Sequence, residues 1–354
     1  MEFATLEQSV WTWLRTRTCP IVLYGMGDGA DKILDRFAAL GIPAAGVFAS
    51  DGFVRGQSFR GFRVKRLDEL VAELGDELVV VIAFASQRPE VLELMYALDA
   101  RFEVVAPDVP VVPGPVFDEA FARAHQAALA QAYALLADER SRQVFLDTVR
   151  FKLSGKLRYL RASETDKDEA FRAVLHPTGQ EHFADLGAYD GDTIRGLLAH
   201  TGGQFASITA LEPDRRSFRK LSNYAAQHLS GEVRLVQAGA WSEDTVLCFS
   251  DQAGRQSRVA AQGRETAMRA LDSVLDGAPC TYLKLDVEGA EREALAGAAQ
   301  TIRRCRPKLD IAAYHRSADF FELPLLVHAL DPAYRLYLRH HPYVPAWDTI
   351  LYAI

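Results

Sequence analysis

The sequence is poor in the features that mark secreted and membrane-spanning proteins. Its 354 residues include only four cysteines, Cys19, Cys248, Cys280 and Cys305, and no two of them have the CxxC spacing of a metal or redox site. Such sparse cysteine use fits a reducing compartment. No apolar run approaches the roughly 20 residues of a bilayer-spanning helix, and the N-terminal segment opens acidic and amphipathic, unlike a signal peptide. These absences predict a cytoplasmic protein without a membrane span.

The sequence also lacks an excess of basic residues. It has 47 acidic and 40 basic side chains, which gives a net charge of −7. Non-specific binding to nucleic acid requires basic surface that neutralises phosphates. We therefore expect no nucleic-acid partner.

Alternating strand and helix patterns appear in two parts of the chain. Residues 1–110 contain the runs IVLYG, IPAAGVFAS, ELVVVIAFAS and RFEVVAP, separated by amphipathic segments, and this alternation predicts a small parallel sheet ending near residue 108. The proline-rich stretch PDVPVVPGPV follows as a boundary. Residues 111–180 are alanine-rich and charged, which predicts a helical connector that could be a dimer contact or a simple spacer.

Residues 181–354 form a second α/β region. Its strand candidates are HFADLGA, SITALEP, VRLVQAGAW, VLCFS, TYLKLDV, KLDIAAY, RLYLRHH and TILYAI. A short loop joins the last two, so they should run antiparallel. The sequence thus predicts a mostly parallel, Rossmann-like sheet with an antiparallel end, preceded by a smaller Rossmann-like domain.

The loop DLGAYDGDT is acidic where a phosphate-binding loop would be neutral or basic. It carries Asp185, Asp190 and Asp192 around two glycines, and ligands of such sheets sit at the carboxyl ends of the strands. Carboxylates favour a cation, and S-adenosylmethionine has both a sulfonium and an ammonium group. Alternatively, Asp190 or Asp192 is only the N-cap of the following helix.

Three further motifs place polar residues at strand ends. Glu212 in ALEPD can accept hydrogen bonds from ribose hydroxyls, or is a solvated surface acid. Lys284, Asp286 and Glu288 alternate and should face one side of a strand, opening into a cleft or forming a structural salt-bridge cluster. His315 follows the strand KLDIAAY and is either a catalyst or a packed histidine.

These motifs, together with AGAWSED, AYHRSADFFELP and RHHPYVPAWDTILYAI, resemble the FkbM family of methyltransferases over about half of the chain. The resemblance implies a seven-stranded class I methyltransferase domain and S-adenosylmethionine as the methyl donor. The residues that it places around the cofactor are Asp185, Gly187, Ala188, Asp190, Thr193, Glu212, Pro213, Gly239, Ala240, Trp241, Asp286 and Glu288. Many members have asparagine where this chain has Tyr189.

The activity that follows is O-methylation of a sugar, a glycan or another hydroxylated metabolite by in-line displacement at the methyl carbon. A weakly acidic hydroxyl needs a base, for which His315 and Asp286 are the candidates. Asp286, Glu288 and His315 could form a metal site, but they lack the close ligand spacing of a metal motif, so no metal is assigned.

A second glycine loop, YGMGDGADKIL, lies in the first region, with Gly25, Gly27 and Gly29. Asp51 and Arg55 could contact a ribose and a phosphate there. Two other functions therefore stay open: an NAD(P)- or sugar-nucleotide-binding oxidoreductase-type protein, and a non-catalytic module that binds S-adenosylmethionine. A degenerate first domain used for packing or for homodimer formation is the alternative to a nucleotide site.

Overall fold

Two large β-sheets, each flanked by helices, organise the chain in the computed structural model, which describes residues 1–249 and 264–354. The strands of the first sheet are β1 (Ile21–Tyr24), β2 (Gly46–Phe48), β3 (Ser58–Phe59), β4 (Phe62–Lys65), β5 (Val79–Ile82) and β6 (Glu103–Val105). Their order is β3-β4-β2-β1-β5-β6, and β3 alone is antiparallel to its neighbour. The predicted parallel sheet is confirmed.

The helices beside this sheet are α1 (Val10–Arg15), α2 (Asp28–Leu40), α3 (Leu67–Leu74) and α4 (Pro89–Asp99), with short 3-10 turns at Phe3–Thr5 and Asp51–Phe53. The sequence pattern missed the hairpin β3–β4. Its turn depends on Arg60 and Gly61, which both have positive φ, and β3 is only two residues long, too short for an alternating pattern.

The middle of the chain is helical, as predicted. Its helices are α5 (Glu119–Ala124), α6 (Gln126–Leu135), α7 (Glu139–Ser154), α8 (Leu157–Ser163) and α9 (Lys167–Ala170), followed by a π-helical turn at Phe171–Leu175. Helix α7 is capped at its start by Asp138, whose carboxylate accepts the Ser141 N–H, and at its end by Gly155 in the left-handed region. The domain limits at 110 and 180 stay a prediction, because Val144 and Phe145 of α7 share a hydrophobic core with the second sheet.

Ten strands lie in the described part of the C-terminal region. They are β7 (His182–Leu186), β8 (Ser207–Leu211), β9 (Glu232–Val236), β10 (Gly239–Ala240), β11 (Thr245–Phe249), β12 (Arg264–Arg269), β13 (Tyr282–Leu285), β14 (Lys308–Ala312), β15 (Leu336–His340) and β16 (Thr349–Ala353). Seven of them form a sheet in the order β15-β16-β14-β13-β7-β8-β9. Because β16 is antiparallel to both of its neighbours, the predicted antiparallel end is confirmed.

The helices of this region are α10 (Asp192–His200), α11 (Arg215–His228), α12 (Leu271–Leu275), α13 (Glu291–Gly297), α14 (Ala299–Cys305) and α15 (Asp319–Leu330). Within residues 1–249 and 264–354, no helix combines the length and the apolar character that crossing a bilayer requires.

The predicted strand VRLVQAGAW is two strands in different sheets. Strand β9 ends at Val236, whereas Gly239–Ala240 pairs with β12 in a separate sheet of order β10-β12-β11. The sequence pattern did not indicate β12. The candidate VLCFS corresponds to β11 as far as Phe249, and its last residue, Ser250, lies outside the described residues.

Candidate functional site

The glycine loop after β7 lies directly against the turn after β13. These strands are parallel neighbours, with Asp185 in register with Lys284 and Leu186 with Leu285. Gly187 has φ +83°, and a Cβ at this position would overlap the carbonyl oxygen of Asp286. Glycine is therefore required here both for its backbone conformation and for the close approach of the two loops.

The acidic loop contains a buried ion pair with a neighbouring strand. Asp185 is fully buried, and Lys284 places its Nζ 3.2 Å from the Asp185 Oδ1 and donates to the Gly187 carbonyl oxygen at 2.8 Å. Burial alone would lower the pKa of Lys284, but Asp185, followed by Asp286 and Asp192, raises it, so the ammonium group stays charged. The negative charge of Asp185 in the loop is thus paired with Lys284 from the neighbouring strand.

Neither Asp190 nor Asp192 caps helix α10, so the capping alternative is wrong. The N-cap is Gly191, with φ +89°, and Asp192 is the first helical residue, one position before Thr193. Asp190 accepts a hydrogen bond from Arg195 at 2.6 Å. Asp190 therefore lies on the loop before α10 and is connected to this helix through its contact with Arg195.

Glu212 is a buried carboxylate at the end of β8. Its two oxygens accept from the backbone N–H groups of Tyr189 and Asp214, both at 2.8 Å, and its exposed fraction is 7%. The solvated-surface alternative is therefore wrong. Burial raises the pKa of Glu212 to about 7, although the two N–H donors oppose the shift. Tyr189, at the position of the family's asparagine, has φ +45° and aims its N–H at this carboxylate.

The segment Gly239–Trp241 lies beside the end of β8 even though it belongs to the smaller sheet. A Cβ on Gly239 would be 2.7 Å from the Met268 sulfur and 3.8 Å from Pro213. Ala240 is buried, and the Trp241 N–H donates to the Arg269 carbonyl oxygen at 2.9 Å. Residues 239–241, which the resemblance places at the adenine, therefore lie next to the Glu212–Pro213 turn.

Asp286 and Glu288 are not on a strand, which corrects the alternating pattern predicted for them. Strand β13 ends at Leu285, and Glu288 has φ +53° in the turn that follows. Both side chains are partly exposed, at 39% and 47%, and both approach His315. The Tyr314 hydroxyl lies 3.5 Å from the Asp286 Oδ1.

His315 is enclosed by three carboxylates and is only 1% exposed. Its Nε2 lies 3.5 Å from the Asp286 Oδ1 and 3.4 Å from the Glu288 Oε2, while its Nδ1 lies 3.0 Å from the Glu291 Oε1. Burial alone would lower the pKa of His315, but Glu291, together with Glu288 and Asp286, raises it well above its usual value. The direction of this pKa shift could not be predicted from the sequence. The sequence analysis also missed Glu291, which lies on α13.

Three further residues that the sequence analysis missed surround this edge of the sheet. Lys167, from the helical middle region, pairs with Asp348 at 2.7 Å, and its pKa is raised by Asp348, Asp310 and Asp286 against the effect of burial. Burial raises the pKa of Asp310 on β14 to about 6, and Tyr282 donates to it at 2.9 Å. The charged lining of the site thus extends over β13, β14 and the helical region.

Residues 185–345 match the family model of the methyltransferase FkbM domain. This segment of the chain is therefore similar to the methyltransferase domain of the FkbM family. The structure of methyltransferase FkbM from Methylobacillus flagellatus KT shares the fold with a TM-score of 0.69 at 23% identity, over 97% of this chain and 92% of that chain. No curated protein sequence matches the chain.

Two further solved structures resemble part of the chain. An rRNA methylase from Streptococcus thermophilus has a TM-score of 0.36 at 14% identity, over 53% of this chain and 93% of its own. Aeropyrum pernix fibrillarin, solved with natively bound S-adenosylmethionine, has a TM-score of 0.36 at 14% identity, over 55% of this chain and 74% of its own.

The glycine loop of the first sheet lies outside the FkbM domain match and is folded differently from the loop after β7. Gly27 is the N-cap of α2 with φ +107°, and a Cβ on Gly29 would be 2.6 Å from the Ala83 carbonyl oxygen. The first turn of α2 contains Asp28 and Asp31, which disfavour a phosphate. Near this loop, the carboxylate of Asp51 is 79% exposed.

The linker between the sheets reaches the turn that contains His315. The Val112 N–H donates to the His315 carbonyl oxygen at 3.2 Å, and the Ser317 hydroxyl donates to the Pro115 carbonyl oxygen at 2.7 Å. A buried ion pair of 2.7 Å between Lys152 and Asp108 fixes the start of this linker. The proline-rich stretch expected to be a boundary is thus also a wall of the candidate site.

Proposed function

We propose that the chain is an S-adenosylmethionine-dependent O-methyltransferase that modifies a hydroxyl of a sugar, a glycan or another hydroxylated metabolite. The observation that carries the cofactor assignment is Glu212. A buried carboxylate at the end of β8, beside the glycine loop of β7, can accept hydrogen bonds from both ribose hydroxyls. Its two backbone donors, on Tyr189 and Asp214, hold it in a fixed orientation.

The methionine end of the cofactor would lie between the loop after β7 and the turn after β13. Asp185, Gly187 and Ala188 border it on one side and Asp286 on the other, with Asp190 and Thr193 at the start of α10. A sulfonium and an ammonium are attracted to such carboxylates, whereas the diphosphate of NAD would be repelled. Gly239, Ala240 and Trp241 would line the adenine, next to Pro213.

Of the two base candidates, we assign proton acceptance to Asp286 and a positioning role to His315. Asp286 is 39% exposed, whereas His315 is 1% exposed and has carboxylates at both ring nitrogens. In the reaction, the acceptor oxygen forms a bond with the methyl carbon as the carbon–sulfur bond breaks. The hydroxyl proton passes to Asp286, and S-adenosylhomocysteine leaves with the bonding electron pair. Orientation of the two reactants can supply up to ~7–11 kcal/mol of the barrier.

The test is calorimetry with S-adenosylhomocysteine and with NAD, combined with an assay of S-adenosylhomocysteine release over a panel of hydroxylated acceptors. We expect binding of S-adenosylhomocysteine and turnover with at least one acceptor. Asp286→Asn should lower turnover by roughly 10²–10⁴-fold, the usual contribution of a general base, while Glu293→Gln on α13 serves as the matched surface control. Binding of NAD in place of S-adenosylhomocysteine would favour the oxidoreductase-type alternative. Cofactor binding without turnover on any acceptor would favour the non-catalytic module.

The remaining partner and location expectations belong to the same proposal. A cytoplasmic setting and the absence of a nucleic-acid partner are expected from the composition of the chain, and a small-molecule acceptor belongs to the proposed reaction. Homodimer formation through the helical middle region is the arrangement to check by light scattering.

A further inference from the structure

We propose that Asp286, Glu288 and His315 bind one divalent cation through the His315 Nε2 and one oxygen of each carboxylate. The geometry suits a small cation. The Nε2 is 3.5 Å from the Asp286 Oδ1 and 3.4 Å from the Glu288 Oε2. Ligand atoms about 2.0–2.2 Å from a shared metal lie roughly 3.0–3.5 Å from one another in octahedral and tetrahedral sites, so each carboxylate oxygen lies at about the distance from the imidazole nitrogen that a shared metal requires.

Glu291 supports this arrangement from the other side of the imidazole. It is 1% exposed, and its Oε1 lies 3.0 Å from the His315 Nδ1. The same oxygen accepts from the backbone N–H groups of Val287 and Gly289, at 3.1 and 3.3 Å. A carboxylate beside Nδ1 favours the proton on that nitrogen and leaves Nε2 as the ligand atom. Glu291 itself is close to this site, because candidate ligand atoms of Asp286, Glu291 and His315 all lie within 4.8 Å of one another.

The charge of the cluster also favours a cation. Asp286, Glu288 and Glu291 surround one imidazole, so carboxylates outnumber the ring even when it is protonated. The second oxygen of Glu291 is buried without a hydrogen-bond partner. A buried carboxylate such as that of Glu291 is costly unless it is paired or bound to a metal, and a divalent cation at His315 would add positive charge beside it.

The backbone around the cluster is held in place before any ligand binds. Gly289 has φ +96°, and its carbonyl oxygen accepts two hydrogen bonds from Arg316, at 3.0 and 2.8 Å. The His315 carbonyl oxygen accepts the Val112 N–H. Both sides of the proposed site are therefore fixed by contacts that do not use the ligand side chains.

The donor set indicates the kind of metal and its use. One imidazole with two carboxylates suits Mn²⁺ better than Mg²⁺, because imidazole nitrogen favours transition metals. If the proposed methyl transfer occurs, a cation beside Asp286 would bind the acceptor hydroxyl, lower the pKa of this hydroxyl and ease the loss of its proton. An open cation would prefer an acceptor with two adjacent oxygens, such as a vicinal diol or an α-hydroxy acid.

The test is a Mn²⁺ titration of the full chain, without cofactor or acceptor, in which the electron paramagnetic resonance signal reports free Mn²⁺. We expect one saturable site per chain. Glu291→Gln should weaken it by about 10–100-fold, as for other carboxylates that orient a ligating histidine, and His315→Gln and Glu288→Gln should weaken it at least as much. Glu293→Gln, on the same helix but two residues away and hence on another face, should bind Mn²⁺ as the unchanged chain does.

Circular dichroism and thermal unfolding of each variant separate loss of the site from loss of the fold. Glu288 is 47% exposed, so Glu288→Gln keeps the test usable if His315→Gln does not fold. No saturable Mn²⁺ binding, or equal binding by folded Glu288→Gln and the unchanged chain, would overturn the proposal and leave a protonated imidazole among acids. Because the titration contains no methyl donor or acceptor, its outcome is independent of whether the proposed methyl transfer occurs.

Discussion

Replacing Glu212 by glutamine tests whether this carboxylate binds the cofactor ribose, because its pKa lies in a pH range where binding can be measured. Burial raises the pKa of Glu212 from its ordinary 4.5 to about 7. Ribose hydroxyls donate to the ionised form, so ligand binding should favour loss of this proton. The affinity for the ligand should therefore increase as the pH rises through about 7 and should level off above it.

The size of this change in affinity is set by the ionisation of one carboxyl group. With a pKa of about 7, roughly nine-tenths of the chains are ionised at pH 8 and roughly one-tenth at pH 6, which is about tenfold in affinity or ~1.4 kcal/mol. In Glu212→Gln this dependence should vanish. The amide should also bind more weakly at pH 8, by about 1–3 kcal/mol, because its NH₂ would face one of the two N–H groups, of Tyr189 or Asp214, that the two carboxylate oxygens now accept.

The assay is calorimetry between pH 6 and 8 with 5′-methylthioadenosine, which keeps the adenosine but lacks the titrating ammonium group of S-adenosylmethionine. At pH 6 the unchanged chain should release close to one proton on binding, measured by comparing buffers of different ionisation enthalpy. A flat affinity profile for the unchanged chain, or the same slope in Glu212→Gln, would refute the assignment of Glu212 to the ribose.

Three other substitutions test separate parts of the site. Lys284→Met leaves Asp185 buried without its cation and should lower the free energy of unfolding, measured by denaturant titration, by about 3–5 kcal/mol. Adding Asp185→Asn should restore part of this free energy. No restoration would contradict the ion pair. Gly187→Ala would overlap the Asp286 carbonyl and should weaken S-adenosylhomocysteine binding in calorimetry, whereas the control Gly196→Ala, with open space around its Cβ, should not. Gly27→Val, if folded, should leave S-adenosylmethionine affinity unchanged; loss of binding would place the cofactor in the first sheet instead.

Local patterns were sufficient for most of the element order. Buried runs such as β1 and β5 alternate with amphipathic helices, and the short loop before β16 required an antiparallel pair. The N-cap of α11 is another local feature, because it depends only on the next three residues: the Asp214 carboxylate accepts the N–H groups of Arg216 and Ser217. Features whose causes lie within a few residues can be predicted from a single sequence.

The division of VRLVQAGAW between two sheets depended on a distant partner. A strand is assigned to a sheet by the strand with which it pairs, and Gly239–Ala240 pairs with Met268–Arg269. Nothing within the segment itself distinguishes the two sheets, so a continuous apolar pattern appeared to be one strand.

The chemistry of the site was likewise decided by contacts between distant residues. The sequence by itself determined which charged residues end the strands: Asp185, Glu212, Asp286 and His315. Only the tertiary structure paired Asp185 with Lys284 through the register of β7 and β13, and enclosed His315 between Glu291 and the acids after β13. The physical reason is that burial and neighbouring charge set the ionisation of a group, and both are created when strands far apart in the chain become adjacent.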